Sequence, residues 1–434
     1  MNIDTLYSYF LRYPKIYTDS RKVQKNSIFF ALKGERYNGN LFAEEALKKG
    51  AKIVVVDQDL QTSDDRFFYV KDSLVCLQKL AKKHREKLKI PIIGITGTNG
   101  KTSTKEFIAL LLSESFNVAY TQGNLNNHIG VPLTVLSINA NHTIAILEFG
   151  ANKKGDIKEL CEIASPTHGL ITNIGKAHLK DFINIKNITN TKTELWTHLI
   201  KNSGKIFLNY DDPKLMTKAR EIFTQKSINE CKMYGESLNE KNIISLIPGS
   251  HLLEIKYNGS IIKTKIIGKY NLINIICAIT VASYFKIEPE LIKNLLPKIG
   301  LKNRSELISS KKNEIILDAY NANPNSMYLA IKNFLEIENY LIEHKIIILG
   351  DMLELGKEEI MEHEKILKLL HQSKILKKNI FLIGNVFSKI SSEFQTFYNT
   401  NEIIPILKKN KLTGKIILIK GSRKLELEKL VEKL

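Results

Sequence analysis

The stretch IIGITGTNGKTSTKEF, residues 92–107, constrains this chain more than any other. An apolar run ends in Thr96-Gly97-Thr98-Asn99-Gly100-Lys101-Thr102-Ser103 and passes straight into a helix-competent segment, so the order is strand, glycine loop, helix. Glycines let backbone N–H groups close around a polyphosphate, and the helix N-terminus favours negative charge. Lys101 can reach the outer phosphates, and the Thr102 hydroxyl can hold Mg2+. The common phosphate-loop pattern asks for glycine at position 95, where this chain has isoleucine flanked by Gly94 and Gly97, so the loop is a variant form. A glycine turn with a solvated lysine is the plainer alternative, and the strand before and helix after favour nucleotide binding over it.

At 434 residues the chain exceeds one ordinary core, and two or three domains are expected. It has no apolar run of membrane-spanning length, and its start, MNIDTLYSYFLRY, lacks a basic region followed by an apolar one. A cytoplasmic protein without membrane insertion is expected. The four cysteines are far apart and form no CxxC pair, which argues for reduced thiols over disulfides or zinc. A formal charge of +19 invites a nucleic-acid partner, but it comes from 56 Lys against eight Arg, spread along the chain among 45 acidic residues. Base and phosphate recognition favours clustered arginine, so no nucleic acid is expected. An anionic substrate would still be attracted.

Three domains follow from the pattern: a small N-terminal α/β domain at 1–88, a central phosphate-loop domain with a mostly parallel sheet at 89–298, and a C-terminal Rossmann-like domain at 299–434. In the first, strands at 27–32 and 51–57 flank a helix at 40–49, and a helix over 73–89 closes the unit. In the second, strands are expected at 92–96, 143–149, 168–173 and 205–209, an antiparallel hairpin at 243–267 flanking that sheet, and a helix at 271–285. In the third, strands at 313–318, 345–349, 379–383 and 415–419 alternate with helices at 324–338, 356–372 and 422–432. Ligands belong where such strands end.

Several strand ends carry chemistry. Glu148 closes the strand 143–149, where an oxygen ligand could pair with Thr102 on Mg2+. His178 lies beyond the strand 168–173, and a glycine three residues earlier gives it weight as a site residue. Lys192, taken alone, is one of 56 lysines and reads as a surface group. Asn124, Asn126 and Asn127 offer donors and acceptors suited to a peptide or sugar, with turn formation the alternative. Tyr320, Asn321 and Asn323 join a strand to a helix, with Pro324 at a plausible first helical position.

Taken together these residues resemble the Mur ligase family of ATP-dependent amide-bond formers. TGTNGKT is of that family's form. GNLNNHIGVPLT (123–134), EFGAN (148–152), DAYNANPNSM (318–327) and LGDMLELG (349–356) are similar to the branch that adds D-alanyl-D-alanine to a UDP-linked muramoyl tripeptide. Asp19-Ser20-Arg21 and residues 29–51 resemble the uridine-nucleotide domain, and KGSR (420–423) the C-terminal domain. The resemblance implies ATP and Mg2+ as cofactors. It implies a carbamylated Lys192 that holds a second Mg2+, and His178 as a further metal ligand. It implies Asn321 and Arg304 at the nucleotide, although Lys302-Asn303-Arg304-Ser305 departs from the usual glycine-arginine pairing. Ser20, Arg21, Asn124, Asn126, Asn127, Tyr320 and Asn323 fall to the substrates.

The implied reaction activates the tripeptide carboxylate as an acyl phosphate, which the dipeptide amine then attacks. Lys101, Lys192 and His178 are its catalytic residues, and a monomer is expected. The alternatives are another amino-acid-adding ligase of this superfamily, such as a folylpolyglutamate synthase, and a phosphate-loop ATPase dependent on nucleic acid.

Overall fold

The computed structural model describes residues 2–35, 37–175, 182, 184–238, 245–247, 252–301, 304–310, 312–391, 393–410 and 412–434. The chain divides into two compact units. The first comprises residues 1–96, 113–170 and 191–206; the second comprises residues 97–112, 171–190 and 207–434.

In the first unit β1 (Lys15–Tyr17), β2 (Ser27–Phe30), β5 (Ala51–Val56) and β6 (Phe67–Tyr69) form a four-stranded sheet in that order, all parallel. A two-strand hairpin, β3 (Lys33–Gly34) with β4 (Tyr37–Asn38), stands apart from it. β2 is buried along its whole length, as strands of a sheet covered on both faces are. The helices of this part are α1 (Ile3–Arg12), α2 (Ala43–Lys48) and α3 (Ser73–Lys87). The helix expected at 40–49 begins as a 3-10 turn, Gly39–Phe42, before α2 takes over. The Asp72 carboxylate accepts the Val75 N–H and caps α3, and Arg85 near its end donates to the carbonyls of Ala164, Ser165 and Leu88.

The same unit holds β7 (Ile92–Thr96), β8 (Val118–Tyr120), β9 (Ile144–Glu148) and β10 (His168–Ile171), which lie in the order β10-β7-β9-β8. β7 and β8 each run parallel to β9. All five residues of both β7 and β9 are buried, which fits their apolar runs up to Thr96 and Glu148.

The second unit takes up α4 (Lys101–Leu112), directly after β7 in the chain. Helices α5 (Gly130–Ser137) and α6 (Asp156–Ala164) lie in the first unit, and α7 (Ile185–Lys192), α8 (Glu194–Lys201) and α9 (Pro213–Ile222) follow along the chain. β11 (Lys205–Asn209) pairs in parallel with β12 (Lys232–Tyr234).

The largest sheet has nine strands. Its order is β13 (Ser245–Ile247), β14 (Leu252–Tyr257), β15 (Ser260–Ile267), β16 (Glu306–Ser309), β17 (Glu314–Asp318), β21 (Ile416–Lys420), β18 (Lys345–Gly350), β19 (Ile380–Ile383) and β20 (Gln395–Phe397). The antiparallel hairpin expected beside the central sheet is thus part of this one: β15 meets β16 at Ile266 and Glu306. From β17 to β20 the strands are parallel. Alternation divides their side chains between two cores. Ile347, Leu349 and Leu418 pack with Met327 and Phe334, whereas Ile346, Ile348 and Ile417 pack with Phe381 and Leu430. The helices of this unit include α10 (Leu272–Tyr284), α11 (Pro324–Leu335) and α12 (Glu359–Gln372). β21 lies between β17 and β18, so the strand order reverses there, and the carboxyl ends of β17 and β21 sit at the switch point. The helix expected at 422–432 is instead two 3-10 segments, Arg423–Leu425 and Leu427–Lys433, separated by Glu426 at φ +51°.

Candidate active site

The phosphate loop is fastened in the second unit by side chains from three directions. Thr98 donates its N–H to the Asn173 carbonyl at 3.0 Å, and its hydroxyl accepts the Gly175 N–H at 2.9 Å. Asn99 is held through both main-chain groups: its N–H donates to Asn173 Oδ1 at 3.0 Å, and its carbonyl accepts Thr172 Oγ1 at 2.6 Å and Asn173 Nδ2 at 3.0 Å. Two glycines are obligatory here. Gly97 has φ +145°, and a Cβ on it would lie 1.9 Å from Thr172 Oγ1. Gly100 has φ +79°, and a Cβ on it would lie 2.6 Å from Asn274 Oδ1. The Lys101 ammonium folds onto the loop's own carbonyls, Gly97 at 2.7 Å and Thr98 at 3.1 Å. Lys101, Thr102 and Ser103 form the first turn of α4, whose leading N–H groups point out of the helix.

Asn274 escaped the sequence reading, which saw only a helix at 271–285. Its Oδ1 accepts the Thr104 hydroxyl at 3.2 Å, and its Nδ2 donates to Asn271 Oδ1 at 3.1 Å. Two asparagines spaced i, i+3 at a helix start, directly after Gly268-Lys269-Tyr270, were the available signal.

The DAYNANP turn lies in the same unit and is held at three points. At its start the Lys420 ammonium, whose side chain is 2% exposed, donates to Asp318 Oδ2 at 2.6 Å and to the Asn321 carbonyl at 3.3 Å. In its middle the Arg304 guanidinium stacks 3.9 Å from the Tyr320 ring centroid. Ser305, next to that arginine, is buried at φ +50° and shares a 2.5 Å hydrogen bond with the Tyr270 hydroxyl. Burial and the nearby Asp318 push that phenol's pKa upward, so it stays protonated. At its end Asn323 caps α11: Oδ1 accepts the Ser326 N–H at 2.9 Å while Ser326 Oγ accepts the Asn323 N–H at 3.1 Å, and Pro324 opens the helix. Asn323 Nδ2 donates to Asn99 Oδ1 of the phosphate loop at 2.6 Å. The structure therefore places Tyr320, Asn321 and Asn323 in one turn, with Arg304 stacked on it, and joins the end of the turn to the loop.

In the first unit Glu148 is 3% exposed at the end of β9. Its N–H donates to Thr121 Oγ1 at 2.9 Å, and its Oε1 accepts Asn126 Nδ2 at 2.8 Å. The amide run 124–127 is thereby sorted. Asn126 turns inward onto Glu148, Asn127 Oδ1 accepts the N–H groups of Ile129 and Gly130 ahead of α5, and Asn124 is exposed. Lys192 is 5% exposed, so the surface role it suggested in isolation is overturned. A lysine buried this far is costly unless partnered or modified. Ser20 is buried, whereas Arg21 is exposed and folds back on Asp19, with Nε at 2.9 Å and a terminal nitrogen at 2.8 Å. That pairing holds the Asp19 carboxyl down at about 2. Thr96 ends β7, buried, with its hydroxyl on the Phe149 carbonyl at 2.9 Å. His178 lies outside the described residues. No group of three or more His, Cys, Asp or Glu side chains among the described residues has metal-ligand geometry.

Comparison with known proteins agrees across the whole chain. The Mur ligase family catalytic domain matches residues 12–99, the Mur ligase middle domain residues 95–282, and the Mur ligase glutamate ligase domain residues 303–423. A UDP-N-acetylmuramoyl-tripeptide–D-alanyl-D-alanine ligase of Buchnera aphidicola is 35% identical over 100% of this chain and 94% of its own. The crystal structure of MurF from Acinetobacter baumannii superposes with a TM-score of 0.82 at 27% identity, covering 97% of this chain and 93% of that one. MurF ligase from Thermotoga maritima in complex with ADP gives 0.81 at 26% identity, covering 98% and 97%. The three-domain, mixed α/β fold expected from the sequence is the fold of these structures.

Proposed function

The chain belongs to the Mur ligase family, and from that premise we propose that it joins D-alanyl-D-alanine to the terminal carboxylate of UDP-N-acetylmuramoyl tripeptide, consuming ATP, in peptidoglycan precursor synthesis. The observation that carries this reading is the fastening of a TGTNGKT loop to a DAYNANP turn, Asn99 to Asn323, in a chain whose full-length relative bears that activity in its name. Folylpolyglutamate synthase, in the structure of the L. casei enzyme, shares the fold at only 13% identity, and the evenly spread lysine excess does not favour a nucleic-acid-dependent ATPase. ATP and the nucleotide-linked sugar both belong to the cytoplasm, where we place the reaction.

A carboxylate is a poor electrophile at neutral pH, so it must first be phosphorylated. One carboxylate oxygen attacks the γ-phosphorus and ADP leaves. The dipeptide amine then adds to the acyl carbon, and phosphate departs with the oxygen that bridged it. The loop N–H groups of residues 97–102 hold the nucleotide phosphates. Lys101, released from the Gly97 and Thr98 carbonyls, follows the charge of the transferring group. Asn321, from the DAYNANP turn, and Arg304, stacked on its Tyr320, contact the nucleotide.

Glu148, buried and steered by Asn126, and the Thr102 hydroxyl on the first turn of α4 are each an oxygen donor of the kind that Mg2+ takes. Bound with ATP, that ion would neutralise phosphate charge. The family resemblance adds His178 and a carbamylated Lys192, and burial of Lys192 supports an environment in which a free ammonium is disfavoured. Ser20 and Arg21 serve the uridine diphosphate, and Asn124, Asn127 and Tyr320 the peptide parts.

The test is to incubate the protein with Mg·ATP, the UDP-muramoyl tripeptide and D-alanyl-D-alanine, singly and together. Phosphate release that requires both, with a product of their summed mass less water, supports the ligase. Release indifferent to both and stimulated by nucleic acid overturns it.

A further inference from the structure

We infer that Asn323 is a positioning residue for the phosphate loop, acting on the nucleotide through Asn99 and not by touching the incoming dipeptide. The residue is 6% exposed, and the two ends of its side chain have separate duties. Oδ1 accepts the Ser326 N–H and caps α11; Nδ2 donates to Asn99 Oδ1. Only this orientation of the amide satisfies both partners, because a flip would set a donor against the Ser326 N–H and an acceptor against Asn99 Oδ1.

Asn99 is the centre of the arrangement. Its main chain is bonded to Thr172 and Asn173, and its side-chain oxygen to Asn323. Its own Nδ2 is buried without a partner among the described residues, a donor that a nucleotide oxygen would satisfy. A change in the loop on phosphate binding therefore reaches Asn323, the cap of α11. From there it reaches the turn that carries Tyr320 and Asn321, itself anchored by Lys420. The bond couples nucleotide occupancy to the geometry of that turn.

This rests on the reading that the loop binds ATP. Asn323→Ser keeps a capping oxygen but has no second polar atom to extend to Asn99, and Asn323→Asp keeps a capping carboxylate that has no donor for Asn99. The probe is Mg·ADP, titrated calorimetrically into the full-length protein, alongside steady-state KM values for all three substrates. We expect both variants to bind Mg·ADP about threefold to tenfold more weakly, the scale of one lost hydrogen bond, with KM for the UDP-tripeptide unchanged. Asn99→Ala should lose at least as much, and Asn99→Ala combined with Asn323→Ser no more than Asn99→Ala alone. Affinity within twofold of the parent in both variants would overturn the inference. So would additive losses in the double variant, or an effect confined to KM for D-alanyl-D-alanine. If the parent protein binds no Mg·ADP, the nucleotide reading itself fails and this coupling with it.

Discussion

The phosphate loop at 97–102 and the Asp19–Arg21 turn are both proposed to meet phosphates, and they are built in opposite ways. In the loop the recognising groups are main-chain N–H donors, so the backbone itself must be fixed. Thr172, Asn173, Asn274 and Asn323 hold or crowd it from three elements, and two glycines occupy φ values that other residues resist. In the turn the proposed recognising group is one exposed guanidinium, tied among the described residues to the carboxylate two residues before it. Recognition by backbone is assembled before the ligand arrives. Recognition by a long side chain exchanges an internal ion pair for the ligand, and an exposed pair of this kind contributes little to stability.

Perturbing the two regions should therefore give effects of very different size. Lys101→Ala removes the cation proposed to track the transferring phosphoryl group and should lower kcat by about a thousandfold or more, measured by ATP-dependent product formation. A loss below tenfold would mean that the loop does not carry the charge. Lys192→Ala should abolish ligation and be partly restored by small carboxylic acids that replace a carbamate; full activity in the untreated variant would refute that role. Gly97→Ala forces a Cβ into Thr172 and should lower kcat/KM by about a hundredfold while costing a few degrees in Tm, the scale of a strained backbone position. Unchanged nucleotide affinity would show that the loop is less rigid than its hydrogen bonds imply.

On the other side, Arg21→Ala should raise KM for the UDP-tripeptide about fivefold to twentyfold, the range of one charge-assisted contact, and leave KM for ATP and Tm unchanged. A change in both KM values would erase the contrast between the two regions.

The smallest effect concerns acid. Burial depresses the pKa of His84, His198 and His363, and holds His168 down at about 4; all but His363 lie in the first unit. Each stays neutral when folded while the unfolded chain takes up a proton below about 6.5. Their stabilising contribution is present above that pH and is lost as pH falls from about 6.5 towards 4. Tm measured by calorimetry should decline across that window, and less steeply in a His168→Gln variant. The Asp19–Arg21 pair cannot account for it, because an aspartate whose folded pKa is about 2 loses stability only below its unfolded value near 3.8.

Local spacing carried most of what was legible. The strand-loop-helix around Lys101 and the buried parallel strands could be read directly, because each is specified by residues close in sequence. What stayed hidden depends on partners far along the chain. Lys192 is indistinguishable from the other lysines until its burial is seen. Asn126 reads as a ligand amide until Glu148, 22 residues on, accepts its donor. Asn274 and Lys420 matter through contacts 170 and 102 residues away. The hairpin at 245–267 has an unmistakable turn, but which sheet it extends is decided by a single register contact with Glu306. The resemblance to Mur ligases supplied the family, and the structure supplied the reasons its motif residues stand together.

The central claim is that ATP activates the tripeptide by making an acyl phosphate. The direct test is to label the tripeptide's terminal carboxylate with oxygen-18 and analyse the phosphate released on ligation by mass spectrometry. Transfer of one labelled oxygen into each phosphate is the predicted result. Phosphate free of label, released at the same rate as product, would contradict it.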